Sequence, residues 1–85
     1  VLLGPYDLAA SLGKMGQVDD PAVVDAIGHV TKVTQAAGLP LGMFGVTPEA
    51  VQPYVECGYT LLVAGVDTTH LAGAARETLE QLRGL

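Results

Sequence analysis

At 85 residues, with 49% hydrophobic side chains, a mean hydropathy of +0.41 and a formal net charge of −5, the chain is an apolar, mildly acidic piece of single-domain size. Four Lys and Arg against nine Asp and Glu leave no basic stripe for phosphates, and three Tyr and one Phe are too few for a base-stacking platform, so nucleic acid is not expected as a partner. No stretch approaches the roughly twenty apolar residues that span a bilayer, so no membrane partner is expected either. The single Cys57 cannot form an internal disulfide, which fits a reducing compartment, and a cytoplasmic location is expected. The chain begins Val-Leu-Leu without Met, and its true N-terminus is expected upstream.

In chain order, Val1-Leu2-Leu3 reads as a strand buried on both faces that stops at Gly4-Pro5, which cannot continue a ladder. Asp7 follows within three residues, placing an acid at the carboxyl end of a strand, the edge where α/β folds bind ligands. Pro5 lacks an N–H, whereas Tyr6 and Asp7 can offer theirs to an anionic ligand. The competing reading makes Asp7 the N-cap of a short helix. A loop through Gly13 and Gly16 leads to Asp20-Pro21, an N-cap and a proline at the first helical position. Val23, Ile27, Val30 and Thr34 recur at helical spacing, and Gly38 is placed to close the helix. Leu41 to Val46 reads as a second strand, with Thr47-Pro48 opening a helix that Pro53 should kink and Gly58 should end. Thr60 to Val66 is a third strand. The last helix opens at Asp67, with Leu71, Ala75, Thr78 and Leu82 on one face and Arg76 and Glu80 paired on the other.

The spacing from Gly38 to Gly45-Val46-Thr47 repeats from Gly58 to Gly65-Val66-Asp67, and Gly4 ends the first strand in the equivalent place. Three parallel strands, each leaving through a glycine into a helix, make three consecutive βα units with right-handed crossovers. Such a sheet has two bare edges and at least one uncovered face, so the expected fold is part of a larger α/β protein. Short units without a Gly-x-Gly-x-x-Gly loop favour an eight-fold barrel over a doubly wound sheet.

Gly4-Pro5-Tyr6-Asp7-Leu8-Ala9-Ala10-Ser11-Leu12-Gly13, Asp20-Pro21-Ala22-Val23, Gly42-Met43-Phe44, Cys57-Gly58 and Val63-Ala64-Gly65-Val66-Asp67-Thr68-Thr69 together resemble the C-terminal part of the HpcH/HpaI aldolases, over essentially the whole chain. These are metal-dependent class II pyruvate aldolases. They include enzymes acting on 4-hydroxy-2-oxoheptanedioate, 2-keto-3-deoxy-L-rhamnonate and 2-dehydro-3-deoxyglucarate. The resemblance implies residues 1–85 as the C-terminal segment, about strand six to helix eight, of a (β/α)8 barrel of the phosphoenolpyruvate/pyruvate type. It implies Asp7 as one of two carboxylate ligands of a divalent metal, Mg²⁺ or Mn²⁺ with Co²⁺ or Zn²⁺ as alternatives, the partner Glu lying upstream. Gly4, Pro5 and Tyr6 would hold the pyruvate half of the substrate through backbone groups, and Phe44 and Val66 would line the pocket. The catalytic Arg and the His–Asp pair lie earlier in such enzymes, so no catalytic residue is assigned in this segment. Homohexamers in which the last helix packs on a neighbouring subunit are also implied.

The chemistry fits these roles. A 2-keto acid chelates a hard cation through a carboxylate and its ketone oxygen, and the cation stabilises the enolate formed as a 4-hydroxy-2-keto acid splits into pyruvate and an aldehyde. The remaining polar groups have plainer readings: His29 and His70 as solvent-facing or capping, Asp67 as an N-cap in preference to a substrate contact, Cys57 as a small buried apolar residue, and Met15, Met43, Tyr54 and Tyr59 as core or interface. Two rival readings remain. One is a CoA-thioester lyase of the citrate lyase β-subunit or malyl-CoA lyase type, against which the short Asp7-to-Asp20 connection and the scarcity of basic residues weigh; the other is a catalytically incomplete fragment.

Overall fold

The computed structural model describes residues 1–85. Its elements are β1 (Leu2–Leu3), α1 (Pro5–Ser11), α2 (Pro21–Ala36), β2 (Gly42–Gly45), α3 (Pro48–Glu56), β3 (Leu61–Ala64) and α4 (Asp67–Arg83). The three strands form one parallel sheet in the order β1-β2-β3, with Leu2 opposite Gly42 opposite Leu61 and Phe44 opposite Val63. The alternation read from the sequence is therefore present, with each strand shorter than its apolar run because parallel pairing stops where the flanking glycines and prolines turn the chain.

Helix starts follow the polar signals closely in the middle of the chain. The Asp20 side chain accepts from the Ala22 N–H at 2.9 Å with Pro21 at the first helical position, and Thr47 accepts from the Ala50 N–H at 3.3 Å ahead of Pro48. Gly38, at φ +71, and Gly58, at φ +90, close α2 and α3 in the left-handed conformation that a side chain would oppose. The α3 helix runs on through Pro53 as one element, its ring costing the hydrogen bond that an N–H would have made.

Two caps depart from expectation. The first helix begins at Pro5 itself, so Asp7 is its third residue and not its N-cap; Gly4 holds that place and offers no side chain. At α4 the N-cap is Val66, and Asp67 is the first helical residue, its Oδ1 accepting from the adjacent Thr68 N–H at 2.8 Å. Thr69 does the capping instead: its hydroxyl donates to the Val66 carbonyl at 2.9 Å and accepts the Val66 N–H at 3.3 Å.

The core lies on one face of the sheet. Leu3, Leu41 and Met43 point from the strands toward Ala9 of α1, Val23 and Ile27 of α2, Val51 of α3, and Tyr59, with Met43 and Val23 fully enclosed. Val23, Ile27 and Thr34 are buried and Val30 half-buried, which bears out the helical spacing read for α2. Tyr59 is tied in by a hydroxyl pair with Thr31 at 2.5 Å and an edge-on contact with the Tyr54 ring. Met15 is 79% exposed and takes no part in the core.

The opposite face is open. Side-chain alternation puts Leu2, Gly42 and Leu61 in one row there and Phe44 and Val63 in the next, and Leu2 and Leu61 are each more than half exposed. The α4 helix buries none of its residues, Leu71 and Leu82 being 74% and 60% exposed. Its expected Arg76–Glu80 ion pair does not form; the one salt bridge in the chain joins Lys14 to Asp20 at 3.6 Å. A basic residue N-terminal to its acid is the weaker orientation on a helix, and both side chains stand free in solvent. The radius of gyration, 16.1 Å, exceeds the roughly 12 Å of a compact domain of this length, and the extents are 56 × 28 × 18 Å.

Candidate functional site at the strand ends

The carboxyl ends of the three strands share one edge of the sheet, and the residues singled out from the sequence can be placed on it one by one. Pro5 starts α1 directly off β1, so the first turn of that helix stands over the strand end. The N–H groups of Tyr6 and Asp7 find no acceptor within the chain, as first-turn donors of a helix do, while the Gly4 carbonyl accepts from Leu8 at 3.0 Å. The Asp7 side chain folds back over Gly4. A Cβ built on that glycine would meet Asp7 Oδ2 at 3.3 Å, so the carboxylate occupies the space that any other residue would claim. It is exposed and makes neither a hydrogen bond nor an ion pair within the chain.

Asp7 lines a depression of about 330 Å³ with Leu2, Leu3, Gly4 and Phe44. Phe44 also borders a second cavity of about 320 Å³, on whose walls stand Pro5, Tyr6, Asp19, Thr47 and Tyr54. Gly4, Asp7 and Phe44 are thus brought together; Pro5 and Tyr6 lie on the far side of Phe44, and Val66 borders neither hollow. The separation of Tyr6 from Asp7 follows from the early start of α1, which gives consecutive residues different directions around the helix.

A bare carboxylate at a strand end suits a hard divalent ion, but no three His, Cys, Asp or Glu side chains converge anywhere in the chain, so Asp7 alone could contribute and further ligands would have to come from other residues. Elsewhere, burial pushes the Tyr54 phenol above its usual value, with the neighbouring Tyr59, Cys57 and Asp19 adding to the effect. Cys57 is exposed, contrary to the buried placement expected for it; it sits at the end of α3 in an open groove with Val24, Gly28, Thr31 and Tyr54, its thiol directed at the Pro53 carbonyl at 3.6 Å. Sequence reasoning gave no weight to the way His70 lies: its ring rests on Gly65, and the signal for this was the glycine itself, at φ +95 just beyond β3.

Comparison with known proteins gives this edge its context. Residues 1–74 match the family model described as HpcH/HpaI aldolase/citrate lyase. The chain is 30% identical over 84 residues to a hydroxypyruvate/pyruvate aldolase of Chromohalobacter salexigens, covering 99% of this chain and 33% of that protein. It is 33% identical over 82 residues to a 5-keto-4-deoxy-D-glucarate aldolase of Salmonella newport, covering 96% and 30% respectively. The crystal structure of an HpcH/HpaI aldolase/citrate lyase family protein from Burkholderia cenocepacia superposes with a TM-score of 0.89 at 36% identity, over 96% of this chain and 32% of that one. The chain spans about a third of the length of these relatives. With the glycine-terminated strands, the Gly-Pro-x-Asp turn and this match over most of its length, the chain belongs to the HpcH/HpaI aldolase/citrate lyase family.

Proposed function

We propose that these residues are the C-terminal segment, about strand six to helix eight, of a (β/α)8 barrel, and that the whole protein is a metal-dependent pyruvate aldolase. It would cleave a 4-hydroxy-2-keto acid reversibly to pyruvate and an aldehyde. The observation that carries this reading is the Asp7 carboxylate, free of partners and folded over Gly4 beside an open apolar sheet face. A barrel has such an inner face, filled by side chains from all its strands, and the open face of this sheet, with Leu2 and Leu61 more than half exposed, suits that enclosure. The names of the relatives, aldolases of 2-keto acids, support the same chemistry.

In this reading Asp7 supplies one anionic oxygen ligand. Mg²⁺ or Mn²⁺ fits that donor best, and the bound cation supplies Lewis-acid stabilisation of the pyruvate enolate. The unpaired N–H groups of Tyr6 and Asp7 offer hydrogen bonds to the substrate carboxylate, and Phe44 presents an apolar wall that excludes water from the keto-acid end. The base and the group that stabilises the aldehyde oxygen would come from elsewhere in the protein. A CoA-thioester lyase is disfavoured, because four Lys and Arg in the whole segment leave little to meet CoA phosphates. The unburied α4 suits packing on a neighbouring subunit of a homohexamer.

The test is Asp7→Asn in the full-length protein. Pyruvate release should fall by several orders of magnitude while the circular dichroism spectrum and unfolding midpoint stay near wild type, since Asp7 holds no partner in the fold. Full activity in that variant, or wild-type activity undiminished in EDTA, would remove the ligand role.

A further inference from the structure

Each of the three strands runs into a glycine whose absent side chain is replaced by one from the helix that follows. At Gly4 the filler is the Asp7 carboxylate. At Gly45 it is Val51 with Ala50, whose Cγ1 and Cβ would stand 2.6 and 3.1 Å from an added Cβ. At Gly65 it is the His70 imidazole, whose Nε2 and Cε1 an added Cβ would meet, the latter at 2.8 Å. The middle unit establishes that apolar groups can fill this place, and there Val51 is part of the core. Packing therefore does not require a polar filler. His70 is exposed, belongs to a helix that buries nothing, and its ring makes no hydrogen bond or ion pair within the chain. Of the side chains that fill these three glycine sites, Asp7 and His70 are the ionisable ones, and both are exposed and without a side-chain partner.

The strands β1 and β3 flank β2, two inter-strand spacings apart, and Gly65 lies two residues further along the strand direction than Gly4, so the two glycines are roughly 12 Å apart. That span is comparable to an extended hydroxy-keto acid together with a cation bound at one end. We propose that His70 contacts the substrate: its imidazole hydrogen-bonds a hydroxyl or carboxylate on the aldehyde-derived half of the 4-hydroxy-2-keto acid, while the pyruvate-derived half is held at Asp7. The inference rests on the aldolase reading and adds to it the side chain that recognises the polar groups of the aldehyde. A site built around such a bond discriminates against acceptors that cannot make it, because the imidazole is then left unpaired in a closed complex.

The experiment compares kcat/KM in the full-length protein for glyceraldehyde, glyoxylate and propionaldehyde, each with pyruvate, in wild type, His70→Leu and His70→Gln. In His70→Leu the preference for glyceraldehyde or glyoxylate over propionaldehyde should fall about tenfold, and His70→Gln, which keeps a donor, should restore most of it. A fall with only one of the two polar aldehydes identifies hydroxyl or carboxylate as the group contacted. An unchanged preference, or a loss shared equally by all three aldehydes, overturns the assignment. Solvent deuterium exchange into the pyruvate methyl group of the wild-type protein separates the two levels: its absence would overturn the aldolase reading itself, and its presence with an unchanged preference would overturn only the role of His70.

Discussion

Replacing Gly45 by Ala should destabilise the protein through an identifiable collision with α3, chiefly with Val51. Gly45 ends β2 with an ordinary negative φ, so backbone strain does not enter; the cost is space alone. The new Cβ would stand 2.6 Å from Val51 Cγ1 and 3.1 Å from Ala50 Cβ, where carbon atoms settle at about 3.5–4.0 Å. Val51 is 3% exposed and locked in the core, so α3 must move away from the sheet or the valine must leave its rotamer, an overpacking cost of about 1–3 kcal/mol. Val51→Ala alone deletes the offending methyl and leaves a cavity, costing about 1–3 kcal/mol by analogy with other buried methyl deletions. In the double variant the closer collision is gone and only the 3.1 Å approach to Ala50 Cβ remains, so the two costs should fall short of their sum by about 1–2 kcal/mol. Urea unfolding of the four proteins measures this coupling directly. Gly73→Ala, in exposed α4 with nothing within 4 Å of its Cβ position, is the control and should stabilise by about 0.5–1 kcal/mol. Additivity of Gly45→Ala and Val51→Ala within about 0.5 kcal/mol would refute the packing of α3 against the end of β2.

Other outcomes follow from single groups. Because burial, reinforced by Tyr59, Cys57 and Asp19, raises the Tyr54 phenol above its unfolded value of 10.0, the folded state favours the protonated form. That contribution is complete below pH 10.0 and is lost as pH rises through the higher folded value, so stability should decline in strong alkali; Tyr54→Phe should flatten the decline, read by denaturation midpoint against pH and by tyrosinate absorbance. Asp20→Ala removes the cap of α2 and should cost about 1 kcal/mol, whereas Asp20→Asn keeps the cap and loses only the exposed Lys14 pair, so it should stay within about 0.5 kcal/mol of wild type. A loss in Asp20→Asn as large as that in Asp20→Ala would put the ion pair above the cap.

The βα order could be read from the sequence because its signals are local. Asp20-Pro21 and Thr47-Pro48 start helices by satisfying orphan N–H groups, and Gly38 and Gly58 end them by tolerating positive φ, neither of which depends on distant residues. The caps of the first and last helices differ from the sequence reading for a common reason. Asp7 and Asp67 have the composition of N-caps, yet a proline at position 5 and the Thr69 hydroxyl had already determined where those helices begin. That small shift matters at the site: it carries the Asp7 carboxylate back over Gly4 and sends Tyr6 to the other side of Phe44. Cys57 and the Arg76–Glu80 pair were misplaced because their surroundings are set by what α3 and α4 pack against, which no local pattern records.

The area of the chain bears on the same question. A compact protein of 8.7 kDa exposes roughly 4,700 Å², whereas this chain exposes 5992 Å². The excess is not spread evenly. The sheet face carrying Leu2 and Leu61 and the α4 helix with Leu71, Leu79 and Leu82 are open, while the face under α1, α2 and α3 is closed to the point that Met43 and Val23 see no solvent. A parallel sheet is stable only with both faces covered, so the closed face explains how β1, β2 and β3 hold their register, and the open face is where the proposed barrel would add its remaining strands. Asp7 stands at the rim of that open face with Phe44. The residues left unsatisfied by folding and the residues assigned to chemistry therefore occupy one surface, and whatever completes the sheet also encloses the site, raising the strength of every charge interaction made by the Asp7 carboxylate as water is displaced.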